Sequence, residues 1–361
     1  MNTKIPYYLK NLFLLIMIYL LLFSIIFFSS ELASGIKNGI TISLNLVIPS
    51  LFIFMIFSNI IMKSSLCRII SYPFRFIAKH IYKISPQHIT IVVLSLIGGY
   101  PIGAKLISNA VAEQKMSTIT GEKMLCYCVN CSPAFLITAV GSSIFHNAKI
   151  GVLIFISQVI ACLIVGFLTS KFYNNKDTSI QLKPTKPPKI NATLIVNSVN
   201  DAVRSLIVIC SFIVAFSAFM PLVGVFTQKL DPNLNIVIQG LLEVTTACNA
   251  LRDLHSPHVI LYAAIFTAFG GICVHLQVCA MLKGSNIRLR KFYFYRIIYT
   301  AISGLIVFFY LKLFPNTMNC ISFNTSQSTK TYSVSPAATL FLILLSILLL
   351  FFCKKSDKMK A

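Results

Sequence analysis

The chain has 361 residues, 57% of them hydrophobic and only 11% charged, and 31 Lys and Arg against 9 Asp and Glu give a formal net charge of +22. A water-soluble domain carries roughly 25% charged residues, so this composition excludes one. It also speaks against nucleic acid as the partner of the charge, because the cations lie in short loops between apolar runs and at the C-terminus, where the positive-inside rule puts them.

The first apolar run extends from Leu12 to Phe28 behind Lys4 and Lys10. It is long for a signal-peptide core, and Glu31 stands where a small residue would mark cleavage, so an uncleaved span is expected. A second span, Ile40 to Met62, should kink at Pro49. The basic stretch that follows mixes Lys63, Arg68, Arg75, Lys79 and Lys83 with Tyr, Phe and Ile, which predicts an interfacial helix on the cytoplasmic surface. Next comes an apolar segment from about Ile89 to Val111, broken at Gly98-Gly99-Tyr100-Pro101 and followed closely by Lys115 and Lys123. With cations on both flanks it predicts a re-entrant hairpin. Spans at Met124 to Phe145 and Ile150 to Phe172 complete the first half, and a Lys- and Pro-rich linker follows.

The second half repeats the order. A span from Val203 to Phe226 precedes a broken segment from about Leu234 to Leu251, and spans at His258 to Met281 and Phe292 to Phe314 follow. A polar stretch from Asn316 to Ser335 is expected outside, and a last span, Ala337 to Phe352, ends in a basic tail. The predicted fold class is therefore an all-α polytopic membrane protein with about eight transmembrane helices and two re-entrant hairpins. Both termini are cytoplasmic, and the two series start from opposite sides, as in inverted-repeat transporters. The divisions are 1–37, the first helix and its connection; 38–172, the first repeat; 173–199, the linker; 200–314, the second repeat; 315–336, the external loop; and 337–361, the last helix and tail.

Broken segments at membrane depth are tolerated only where protein or a watery cavity covers them, and they point to a substrate site. Around the first break, Gly98, Gly99 and Gly103 permit close backbone approach, Pro101 leaves a carbonyl without a helical donor, and Tyr100 offers a ring and a hydroxyl. Lys105 is either an anion ligand or an anchor at the interface. Asn130 and Ser132 interrupt the next span. In the second half Glu243 stands inside an apolar segment beside Thr245 and Thr246, where a carboxyl serves a cation, a proton or a polar solute, or snorkels to the interface. Gly270, Gly271, His275 and Gln277 form the matching interruption, with helix packing as the structural alternative.

No catalytic motif is present: neither a GxSxG elbow, an HExxH helix nor a Walker loop occurs, so no enzyme activity is expected. Cys126 and Cys128 are about 200° apart on a helix, so a metal site with Cys131 is not expected. No cofactor is implied, and the spread of the eleven Cys through apolar segments implies no disulfide framework.

These residues carry a resemblance. The runs Gly99-Tyr100-Pro101-Ile102-Gly103-Ala104-Lys105, Asn130-Cys131-Ser132-Pro133-Ala134-Phe135, Ser143-Ile144-Phe145-His146-Asn147, Leu242-Glu243-Val244-Thr245-Thr246 and Phe269-Gly270-Gly271-Ile272-Cys273-Val274-His275-Leu276-Gln277 are similar to those of YlbJ-type sporulation integral membrane proteins, in the wider nucleoside-recognition or Gate-domain group. The resemblance spans roughly residues 38 to 310. Cys131 and Cys273 depart from it, standing where a residue such as Ser is expected. It implies Gate-like repeats and a role in spore envelope or cortex formation in an endospore-forming bacterium. The expected function is a sporulation-related, permease-like protein that binds a small polar solute between two hairpins, with a coupling cation or proton at Glu243. The alternative is a non-transporting scaffold that recruits other sporulation membrane proteins. Membrane lipids are expected partners in either case, and nucleic acid is not.

Overall fold

A computed structural model describes residues 7–172, 190–227, 229–254, 256 and 258–315. Every regular element among them is helical. In hydrocarbon each backbone N–H and C=O needs a partner from its own chain, and a helix supplies these locally.

Helix α1 (Tyr7–Phe27) covers most of the first predicted span. The second span is longer than predicted. Helix α2 (Ser29–Lys63) is a 35-residue apolar helix that starts at Ser29, well before Ile40. Its polar beginning is helical because it packs closely on a partner: a Cβ on Gly35 would stand 2.3 Å from the Ser217 carbonyl oxygen, and one on Gly39 would stand 2.8 Å from Val214 Cα. Such Gly-x-x-x-Gly spacing lets membrane helices approach. The helix runs on through Pro49 without a gap. It widens into a π-helical turn at Ser43–Val47, where the Ser50 hydroxyl donates to the Leu46 carbonyl at 2.6 Å, supplying a donor in the turn that Pro49 disrupts.

The basic stretch folds as two short helices, α3 (Leu66–Ser71) and the π-helical α4 (Ile77–Tyr82). Lys123 caps the end of α4, its Nζ donating to the carbonyls of Tyr82 at 2.5 Å and Lys83 at 3.3 Å. Burial, with Lys83 close by, pulls this ammonium down to about 8.

The first broken segment is a helical hairpin of α5 (Ile89–Gly98) and α6 (Ile102–Ala112). Its two ends meet, with His88 Nε2 3.0 Å from the Lys115 carbonyl oxygen. Helix α7 (Thr118–Leu125) follows, then a non-helical break, the π-helical α8 (Phe135–Ile144) and α9 (Ala148–Phe172).

The second half starts with α10 (Ala192–Thr227), which is 36 residues long. The linker expected over 173–199 is therefore helical from Ala192 onward, and residues 173–189 lie outside the described residues. Then come α11 (Pro232–Leu242), α12 (Val244–Ala250), α13 (Val259–Phe269), α14 (Gly271–Met281) and α15 (Arg290–Leu313). Helix α2 packs on α10, and α9 on α15, so two members of the first series lie against their counterparts in the second.

Among the described residues five helices are long and apolar enough to cross a membrane: Ser29–Lys63, Ala148–Phe172, Ala192–Thr227, Val259–Met281 and Arg290–Leu313. The expected total of about eight also counted α1, the region of α7 and α8, and the last span. The break at 126–132 divides the α7–α8 region into pieces too short to cross singly. The external loop after Pro315 and the span at Ala337 to Phe352 lie outside the described residues.

Candidate functional site

The two hairpin tips and the break before α8 face one cavity. Its empty volume, including the mouth, is about 680 Å³. The first hairpin contributes Gly98, Gly99 and Tyr100, the break contributes Cys131 and Ser132, and the second hairpin contributes Glu243, Val244 and Thr245. Gln277 on α14 and Ser50 on α2 add polar groups, while Leu51, Phe135, Ile209 and Ile213 make apolar walls. An apolar pocket with a few convergent polar groups is the usual form of a small-molecule site.

Glu243 owes its place to the helix that follows it. It is buried, 1% exposed, and it caps α12. One carboxyl oxygen accepts the Thr245 N–H at 2.9 Å and the other the Thr246 N–H at 2.6 Å. The snorkelling alternative is therefore not what the geometry shows. The carboxyl faces inward, satisfied by two backbone donors at a helix N-terminus, where negative charge is stabilised. Each carboxyl oxygen keeps lone-pair capacity toward the cavity.

Gly99 has φ +82°, and a Cβ there would stand 2.9 Å from Ser132 Cβ and the Ser132 nitrogen. Glycine is needed here on both counts. The close neighbour is the break, so this glycine seals the tip of the first hairpin against residues 131–132. Ser132 in turn accepts the Phe135 N–H at 3.2 Å and opens α8. Gln277 holds its position through Nε2, which reaches Cys273 Sγ at 3.4 Å.

The other residues expected at the site sit behind the cavity and do not line it. Asn130 is fully engaged: its Nδ2 donates to Ser95 Oγ at 3.1 Å and the Tyr127 carbonyl at 3.0 Å, and the Tyr299 hydroxyl stands 2.9 Å from its Oδ1. Pro101 begins α6 and is buried, and Gly103 lies against the Cys128 carbonyl. Gly270, at φ +88°, ends α13, and Gly271 lies against the carbonyls of Leu242 and Gly240. Thr246 gives its N–H to Glu243, and its hydroxyl is buried without a partner. His275 is enclosed by the rings of Phe269, Phe292 and Tyr293 at 4.8, 5.5 and 5.7 Å. Lys105 is half-buried one turn past the tip, nearer the tip than the end of the hairpin.

Two further side chains organise the site. Arg296, inside α15 and 1% exposed, donates through Nε to the Phe269 carbonyl at 2.9 Å and through Nη1 to the Val129 carbonyl. It thereby ties the end of α13 to the break after α7. The end of a helix carries partial negative charge, which compensates a buried guanidinium. Gln158 on α9 accepts the Cys131 N–H at 3.3 Å and donates to Thr267 on α13 at 3.1 Å. Arg296 was readable as a lone ionisable residue inside an apolar span, hidden by its nearness to the basic pair Arg290 and Lys291. Gln158 carried no comparable signal. Among the described residues no cluster of His, Cys, Asp and Glu is placed to hold a metal.

No family model and no solved structure matches the chain. It is similar to the sporulation integral membrane protein YlbJ of Bacillus subtilis (strain 168), at 22% identity over 298 residues, 73% of each chain. With its apolar helices, this places the chain in a membrane as a distant homologue of that protein.

Proposed function

We propose that the chain is a sporulation-related, permease-like membrane protein that binds a small polar solute between two re-entrant hairpins. One observation carries this reading: both hairpin tips and the break after α7 converge on a single cavity whose polar edge is the buried Glu243, Ser132 and Gln277 and the half-buried Thr245. Two further features support it. The order long helix, hairpin, broken helix and helix occurs twice, as in inverted-repeat transporters. The sporulation role rests on the name of the homologue. The Lys- and Arg-rich ends, at Lys63, Lys115 and Lys283, are assigned to the cytoplasm by the positive-inside rule.

The test is flux of labelled amino acids, nucleosides and organic acids into vesicles holding the full chain. Thr245→Val and Gln277→Leu change the lining of the cavity without touching the backbone bonds made by Glu243, and a transported solute should lose at least tenfold in uptake in both variants. Were no solute to move in wild type while the same variants supported normal spore maturation, the scaffold alternative would replace this reading.

A further inference from the structure

We infer that residues 64–83 form a built site for anionic phospholipid headgroups, independent of the cavity. The segment begins directly after Lys63, at the end of the 35-residue apolar helix, and so at the edge of the bilayer. One side of it is fixed to the protein. The Thr90 hydroxyl donates to the Cys67 carbonyl at 3.0 Å, and Ala78 and Tyr82 are buried. The Tyr82 ring stacks on Tyr127 at 4.8 Å and fills the space beside Gly166, where a Cβ would stand 1.7 Å from it.

The other side faces outward with a composition that suits one kind of surface. Ile69, Tyr72 and Phe76 are 66%, 69% and 69% exposed. Arg68, Arg75 and Lys79 are exposed among them. The Arg75 guanidinium lies 4.8 Å above the Tyr72 ring, and the Phe76 ring stacks on His80 at 4.5 Å. No acidic residue occurs between Glu31 and Glu113. Among the described residues the ion pairs are those of Lys63 and Lys115 with Glu113 and Asp201, so the cations at 68, 75 and 79 meet no carboxylate. Large apolar groups interleaved with unpaired cations fit the boundary between headgroups and acyl chains. A free anion would use the cations and leave the rings unexplained.

The experiment uses the full chain in nanodiscs of phosphatidylcholine with increasing phosphatidylglycerol, and counts retained lipid by native mass spectrometry after mild extraction. Arg68→Gln/Arg75→Gln/Lys79→Gln should raise the phosphatidylglycerol fraction needed for half retention about tenfold or more and leave phosphatidylcholine unchanged. Tyr72→Ser/Phe76→Ser should weaken retention with the charge intact. Unchanged retention in the triple variant overturns the proposal. So does an equal loss from a control triple at Arg288, Arg290 and Lys291, which would show an undirected charge effect. Displacement by inorganic phosphate, or a ring variant that behaves as wild type, would assign the cations to a free anion and overturn it as well. If the triple variant does not elute as wild type on size exclusion, Arg75→Gln alone is read in its place.

Discussion

Two buried ionisable side chains shape the centre of the molecule, and neither is held by the other. Glu243 sits at the start of α12 and Arg296 at the end of α13, so helix termini supply the compensation that an ion pair would otherwise give. Arg296 also bonds the Val129 carbonyl, so one side chain fastens two broken segments. Arg296→Met removes both charge-assisted bonds and leaves two buried carbonyls unpaired, and should lower stability by about 3 kcal/mol or more, read as unfolding temperature in detergent. Arg296→Lys reaches one carbonyl with a single-point donor and should fall between. An effect below about 0.5 kcal/mol for Met, the level of an ordinary surface change, would show that the two contacts do not organise the breaks. Glu243 was legible in the sequence because it is the sole acid in an apolar run. The same logic applied to Arg296, but Arg290 and Lys291 made it look like part of a basic flank.

Helix α2 owes its early start to a neighbour. Residues 29–39 include Ser, Glu, Lys and Asn and read as a connection, yet they are helical because Gly35 and Gly39 fit against α10. Pro221 has no N–H to give the Ser217 carbonyl, and Gly35 is the residue that faces that oxygen. Gly35→Leu would drive a side chain into backbone, which cannot move as a flexible side chain does, and should cost about 1–3 kcal/mol, measured as loss of monodisperse protein on heating. A Cβ on Gly224 would meet nothing within 4 Å, so Gly224→Ala serves as the control and should leave stability unchanged. A Gly35→Leu variant as stable as that control would mean that the two helices separate without cost. The glycine pair was visible in the sequence, but its partner surface on α10 lies far along the chain, and spacing alone does not name a partner.

Among the described residues, those from Ser29 to Leu313 follow two series with matching order, and the hairpins enter from opposite faces in the proposed arrangement. Cysteines placed at Ser85 and Lys115, in a background lacking native thiols, should label from one side of the membrane, and cysteines at Asn235 and Asp253 should label from the other. Labelling of Ser85 and Lys115 from different sides would contradict the contact between His88 and Lys115 and remove the re-entrant reading. By itself the sequence determined the membrane class, the positions of both broken segments and the breaks near Pro133 and Gly270, because apolar length, glycine, proline and charge act over a few residues. The tertiary structure decided which polar groups reach the cavity. Ser132, Glu243, Thr245 and Gln277 do so, while Asn130 and His275 turn away. That outcome depends on how helices distant in sequence pack and on which backbone groups each break leaves to be satisfied, and no local pattern encodes either.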